Sequence, residues 1–196
     1  GREDPLASQA QFDERHLVDV LFAGGLETRL EILVLLDVRQ HIPRAEVTGG
    51  EPLVRKEAMW LIERLGVLPG LDNLVLTTNG SQLDRFATPL RAAGVKRINI
   101  SLDTLRADRF QNITRIGDLN KVLSGIDAAR AAGFKRTKLN TVMMRGVNDD
   151  EFVDLVSFAI DNELDISFIE EMPLGEIHGR SNTFISSEET RALLAQ

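Results

Sequence analysis

Five short polar strings, each in or after an apolar run, carry the chemistry this sequence can offer. Thr48-Gly49-Gly50-Glu51-Pro52 combines two glycines, which let a ligand approach backbone amides and carbonyls, with a carboxylate that can accept from a cation. Pro52 is suited to open the helix that follows. Thr77-Thr78-Asn79-Gly80 offers hydroxyls and an amide before a glycine turn, suited to a helix cap as well as to a ligand contact. Ser101-Leu102-Asp103 ends a third run, with Asp103 placed to cap the segment after it. Lys138 and Asn140 flank Leu139, so in a strand both point to one face. Buried there, the pair needs partners; on an edge strand it is simply solvated. In Glu170-Glu171-Met172-Pro173, adjacent carboxylates point to opposite faces of a strand and make no acid/base pair. Taken singly, each string fits a plain turn or cap as well as a site.

Other chemistries are excluded by what the chain lacks. It has no cysteine, hence no disulfide, thiolate zinc site, cysteine nucleophile or cysteine-ligated iron–sulfur cluster. His16, His41 and His178 have no ligand spacing, and no phosphate-loop, nucleophile-elbow or His-Glu-x-x-His pattern occurs. A net charge of −7 argues against a general nucleic-acid binder while leaving room for one local basic pocket. No apolar run approaches a membrane span and no leader pattern opens the chain, so no membrane association and a cytoplasmic location are expected.

The elements that must position these strings alternate in type. Apolar runs at Ala45–Thr48, Asn73–Thr78, Val95–Asp103, Lys135–Met143 and Asp165–Met172 predict strands. Three- and four-residue apolar spacing predicts helices over Arg55–Leu65, Gln82–Ala93, Asp118–Ala132 and Asp150–Asn162. Gly66, Gly94 and Gly133 read as left-handed helix stops, and Asp149 and Asp150 as caps of the fourth helix. Arg91-Ala-Ala-Gly-Val-Lys-Arg97 recurs as Arg130-Ala-Ala-Gly-Phe-Lys-Arg136, each copy carrying a helix end into a strand. Such alternation calls for a parallel sheet with right-handed crossovers. With 196 residues, part of a (βα) barrel fits better than a closed eight-unit one, which takes about 250. Two segments are expected: a divergent stretch over 1–44, where Leu17–Phe22 fits helix or strand equally, and a partial barrel core over 45–196.

The order of the strings is more specific than any one of them. Thr-Gly-Gly-Glu-Pro-Leu-Val-Arg, Thr-Thr-Asn-Gly-Ser, Ile-Asn-Ile-Ser-Leu-Asp, Lys-Leu-Asn-Thr-Val-Met-Met-Arg-Gly-Val-Asn-Asp-Asp and Phe-Ile-Glu-Glu-Met-Pro-Leu-Gly follow one another between Val47 and Gly175. The series resembles the GTP 3′,8-cyclases, radical S-adenosylmethionine (SAM) lyases of molybdenum cofactor biosynthesis. The resemblance implies an incomplete (βα) barrel of radical SAM type and a [4Fe–4S] cluster held by an N-terminal Cys-x₃-Cys-x₂-Cys loop. It also implies SAM as the radical source and GTP as substrate, converted to the cyclic pyranopterin precursor. It assigns SAM to Gly49, Gly50, Glu51, Ser101 and Met172, and GTP to Thr77 and Lys138.

The departures are as specific. The cluster cysteines are absent, residues 1–44 match the family in no register, and the chain ends before the cysteines that hold a second cluster. Glu46 stands where the family has an arginine that contacts GTP, and Ser167 where arginine is frequent. The chain as it stands is therefore expected to be inactive in the family reaction. A cluster-free SAM- or nucleotide-binding protein and a structural barrel remnant are the alternatives. Self-association through an open barrel edge is a further expectation.

Overall fold

The structure, a computed structural model, describes residues 17–21, 44–171 and 183–194. Six parallel strands form one sheet in the order of the chain: β1 (Leu17–Leu21), β2 (Arg44–Thr48), β3 (Asn73–Thr78), β4 (Val95–Ser101), β5 (Thr137–Val142) and β6 (Asp165–Ile169). Leu17–Leu21 is thus a strand, in register with Arg44–Thr48. A parallel sheet whose order never reverses sends every crossover to the same side. The helices α1 (Ala58–Gly66), α2 (Leu83–Ala92), α3 (Ala107–Thr114), α4 (Leu119–Ala131) and α5 (Phe152–Asp161) fall between strands, and α6 (Ser187–Leu194) follows β6.

Strand sequences show which side the helices cover. Strands buried on both faces read as unbroken apolar runs, as Leu74-Val75-Leu76 of β3 does, whereas β2 and β5 alternate. Ala45, Val47, Leu74, Leu76, Ile98, Ile100 and Leu139 are almost fully buried and share one core with Ile62 and Leu65 of α1, Leu90 of α2 and Ile126 of α4. Each large side chain buried there contributes on the order of 1.5–3 kcal/mol. The opposite face takes Glu46, Thr77, Asn99, Lys138 and Asp165, the last four level with one another across β3 to β6. Alternation therefore divides the sheet into a packed apolar side and a polar side.

The predicted β3 has the observed bounds, and the four predicted helices lie within three residues of α1, α2, α4 and α5. Both copies of the repeat enter a strand, with Gly94 at φ 93° and Gly133 at φ 84°, the left-handed turn that glycine permits. Gly66 plays a different part. It lies inside α1, and a Cβ there would stand 1.7 Å from the Ala93 carbonyl oxygen, so it is a close-packing glycine and not a left-handed stop. Gly66→Ala should cost about 1–3 kcal/mol through overpacking, read as a lower urea midpoint at unchanged slope. The fourth helix also begins differently from expectation. Asp149 accepts from the Gly146 amide, Asp150 pairs with Arg106 and Arg109, and Glu151, the residue that precedes α5, makes no side-chain cap.

Candidate functional site

Three of the polar strings close β2, β3 and β4 and one follows β6, so the topology gathers these at the carboxyl end of the sheet, where ligands of parallel α/β folds bind, whereas Lys138 and Asn140 lie inside β5. Gly49 has φ 139°, a conformation strained for any other residue, and turns the chain out of β2. A Cβ placed on Gly50 would meet no atom within 4 Å, leaving its backbone open to a ligand. Glu51 is engaged inside the protein. Its carboxylate accepts from the Leu53 amide at 2.9 Å, the Thr78 hydroxyl at 2.8 Å and the Asn79 amide at 2.6 Å. It thereby caps the 3₁₀ turn Pro52–Val54 and ties the Gly-Gly loop to the end of β3.

Thr77 and Thr78 divide the work of the second string. Thr78 is 2% exposed, donates to Glu51 and accepts from the Gly80 amide, which is the capping role its type allows. Thr77 faces the polar side. Its hydroxyl donates to Glu46 Oε1 at 2.6 Å and accepts from Asn99 Nδ2 at 3.1 Å, while Asn99 also donates to Glu46 at 3.2 Å. The sequence reading did not include Asn99. A single asparagine between Ile98 and Ile100 is the period-two signal that marks it.

Lys138 is level with Asn99 on one side and Asp165 on the other. Partial burial pushes its ammonium below the ordinary lysine range, and Arg97 and Arg44 add to this against Glu46 and Asp165. The native state therefore holds the lysine proton less tightly than the unfolded chain. Its contribution favours folding only above the native pKa and is fully present above the unfolded value, about 10.4. Lys138→Met should accordingly be more stable than the parent at pH 7 in urea unfolding. Raising the pH toward about 10 should shrink that gap.

Ser101 is exposed at the end of β4 and level with Asn140, whose Oδ1 is buried without a partner among the described residues. Asp103 does not cap the next segment by itself; it accepts from the Val142 amide at 2.8 Å and clasps the end of β5. Burial raises its carboxyl above the usual range against the pull of that amide. Glu170 and Glu171 lie beyond β6 and accept from the Ser187 amide and the Thr183 hydroxyl. Met172 and the three histidines lie outside the described residues. A separate cavity of about 450 Å³, lined by Leu53, Arg55, Lys56, Gln82, Arg85 and neighbours, shares no residue with the polar row. Among the described residues no helix is long and apolar enough to cross a membrane.

The family model of the Radical SAM superfamily matches residues 26–159. That match starts upstream of the motifs, so the segment from residue 26 onward is not wholly without a counterpart, against the expectation for residues 1–44. The chain is 61% identical over 155 residues to the GTP 3′,8-cyclase of Pseudomonas entomophila (strain L48), covering 78% of this chain and 46% of that protein. It is 58% identical over 178 residues to the GTP 3′,8-cyclase of Pseudomonas syringae pv. syringae (strain B728a), covering 86% and 54%. The chain thus spans about half the length of these relatives. Among solved structures, coproporphyrinogen III oxidase from Escherichia coli, a radical SAM enzyme, matches with a TM-score of 0.59 at 16% identity, covering 95% of this chain and 52% of that one. A radical SAM methyltransferase from Sphaerobacter thermophilus matches with a TM-score of 0.61 at 16% identity, over 86% and 51%. At such identities these likenesses bear on the fold, and they agree with the partial barrel expected from the sequence. The chain belongs to the radical SAM superfamily.

Proposed function

We propose that this chain is the SAM- and nucleotide-binding portion of a GTP 3′,8-cyclase-type protein of molybdenum cofactor biosynthesis, acting in the cytoplasm. The observation that carries the reading is the single polar face on which Thr77, Asn99, Lys138, Ser101 and Asn140 meet, above an otherwise apolar sheet. The 61% identity to a protein named GTP 3′,8-cyclase supports GTP as the nucleotide. In this reading Gly49 and Gly50 present open backbone to the methionine part of SAM, and Ser101 hydrogen-bonds it. Met172 lies beside the adenosine, and Glu51 holds the loop in place rather than touching the ligand.

The two cofactors of the superfamily fare differently against the residues present. SAM fits, because Gly50 is unobstructed and the Asn140 oxygen, level with Ser101, is buried without a partner among the described residues. SAM bound there would supply the carbon-centred radical of the family's chemistry only on cleavage by a one-electron reductant, which this chain, without cysteine, does not hold as a cluster of its own. A [4Fe–4S] cluster does not fit, since the chain has no cysteine. Among the described residues no group of three His, Cys, Asp or Glu side chains is arranged to hold a metal. The chain's own part is therefore binding and orientation. Lys138 offers a compact charge to a phosphate, and Thr77 is held in place by Glu46 and Asn99.

Lys138 gives the test. Titration of GTP into the parent should saturate, and Lys138→Met should weaken it about tenfold or more while being at least as stable. Equal affinity in the two proteins would refute the placement of the nucleotide.

A further inference from the structure

Two successive βα units leave a cavity of about 450 Å³ between the start of α1 and the start of α2, a size suited to a small molecule. Part of its lining is apolar. Leu53 and Ala58 are buried there, and Met59 and Phe86 pack half-buried against the core. The rest is polar and positive, with Arg55 and Lys56 before α1 and Arg85 in the first turn of α2. Among the described residues no carboxylate lines it. Of the neighbouring acids in the chain, Asp84 accepts from the Arg85 amide at 2.8 Å, and Glu57, like Arg55, has an interaction of its own. Lys56 and Arg85 form no ion pair among the described residues, and the Arg85 guanidinium lies over the Phe86 ring, 5.3 Å from its centre.

We infer that this cavity is a second ligand site, separate from the polar face, and that it takes an organic phosphate with a flat apolar body. Charge and apolar lining together select that class. A neutral apolar molecule would strip water from Lys56 and Arg85 and return nothing to them. Inorganic phosphate would answer the charge and leave the Met59 and Phe86 surface wet. A phosphate ester does both: its dianion meets the Lys56 point charge and the Arg85 fork, and its body covers the apolar side. Arg85 is already drawn onto the Phe86 ring, so less of its freedom is lost when the ligand arrives. In a chain of net charge −7, cations from two units that meet without a lining acid reverse the sign locally and draw an anion to this place.

Calorimetric titration of 1-naphthyl phosphate, 1-naphthol and inorganic phosphate into the full chain tests this. The parent should bind 1-naphthyl phosphate saturably, about tenfold or more tighter than either of the others. Arg85→Gln and Lys56→Gln should each weaken that binding several-fold, and the double variant about tenfold or more. Both side chains are exposed, so the variants should keep the parent's Tm. Lys121→Gln, which removes an exposed cation of α4 outside the cavity, should bind like the parent. Equal binding of 1-naphthol would reduce the cavity to an apolar patch, and equal binding of inorganic phosphate would leave the apolar lining without a part. Either result overturns the inference. So does the absence of saturable binding by the parent, an affinity unmoved in the double variant, or a loss in Lys121→Gln as large as in Arg85→Gln.

Discussion

Replacing Glu151 with alanine should destabilise the chain by about 3 kcal/mol, the low end of what breaking a buried ion pair costs. The Glu151 carboxylate is 1% exposed and accepts from the Thr104 hydroxyl at 2.6 Å, the Leu105 amide at 2.8 Å and the Arg109 guanidinium. It ties the loop after β4 and the start of α3 to the start of α5. Alanine strips three donors of one acceptor at once. Arg109 is 22% exposed at its side chain and keeps Asp150, whose carboxylate, with that of Glu151, raises the guanidinium above its usual range. That residual pairing holds the cost at the low end. At about 2–4 °C per kcal/mol for a chain of this size, Tm should fall by roughly 6–12 °C. Asp150→Ala is the contrast, because the Asp150 carboxylate is solvent-exposed and its ion pairs are screened, so the loss should be much smaller. Similar losses in the two variants would show that burial does not govern this network.

The second large effect is expected at Glu51. Its carboxylate holds the Gly-Gly loop to β3 through the Leu53 amide, the Asn79 amide and the Thr78 hydroxyl, bonds to a charged acceptor worth about 1.5–3 kcal/mol each and not additive. Glu51→Ala should therefore cost about 2–4 kcal/mol and weaken SAM binding about tenfold, since Gly49 and Gly50 lose the anchor that fixes them. Glu51→Gln retains one oxygen and should recover part of both losses. Thermal unfolding and SAM titration on the same samples separate the two effects. An alanine variant that loses stability and keeps its SAM affinity would show that the loop is ordered without its carboxylate.

These two residues mark where the sequence was legible and where it was not. Strands and most helices follow from local apolar spacing, so the bounds of β3 and the centres of α1, α2, α4 and α5 could be read directly. The helix Ala107–Thr114 could not. Its one buried residue is Phe110, and it is held from outside by Arg109 reaching Glu151 and Asp150. Likewise nothing near Glu51 in sequence reveals Thr78 and Asn79, 27 and 28 positions away, as its partners. Gly66 read as a helix stop because the Ala93 carbonyl that excludes a side chain there belongs to another βα unit. The candidate site was legible in its alternation, with Lys138 and Asn140 set on one face. Asn99 was missed although the same alternation marks it, because it carries no charge and follows no glycine.

The account stands on a sheet end that still receives SAM in a chain without cysteine, and one titration addresses that directly. Calorimetry of the purified chain with SAM should give saturable one-site binding. Gly50→Val, whose side chain enters open space without strain in the protein, should unfold at the parent's Tm and bind at least about tenfold more weakly. No saturable binding by the parent, or equal binding by Gly50→Val, would contradict the account.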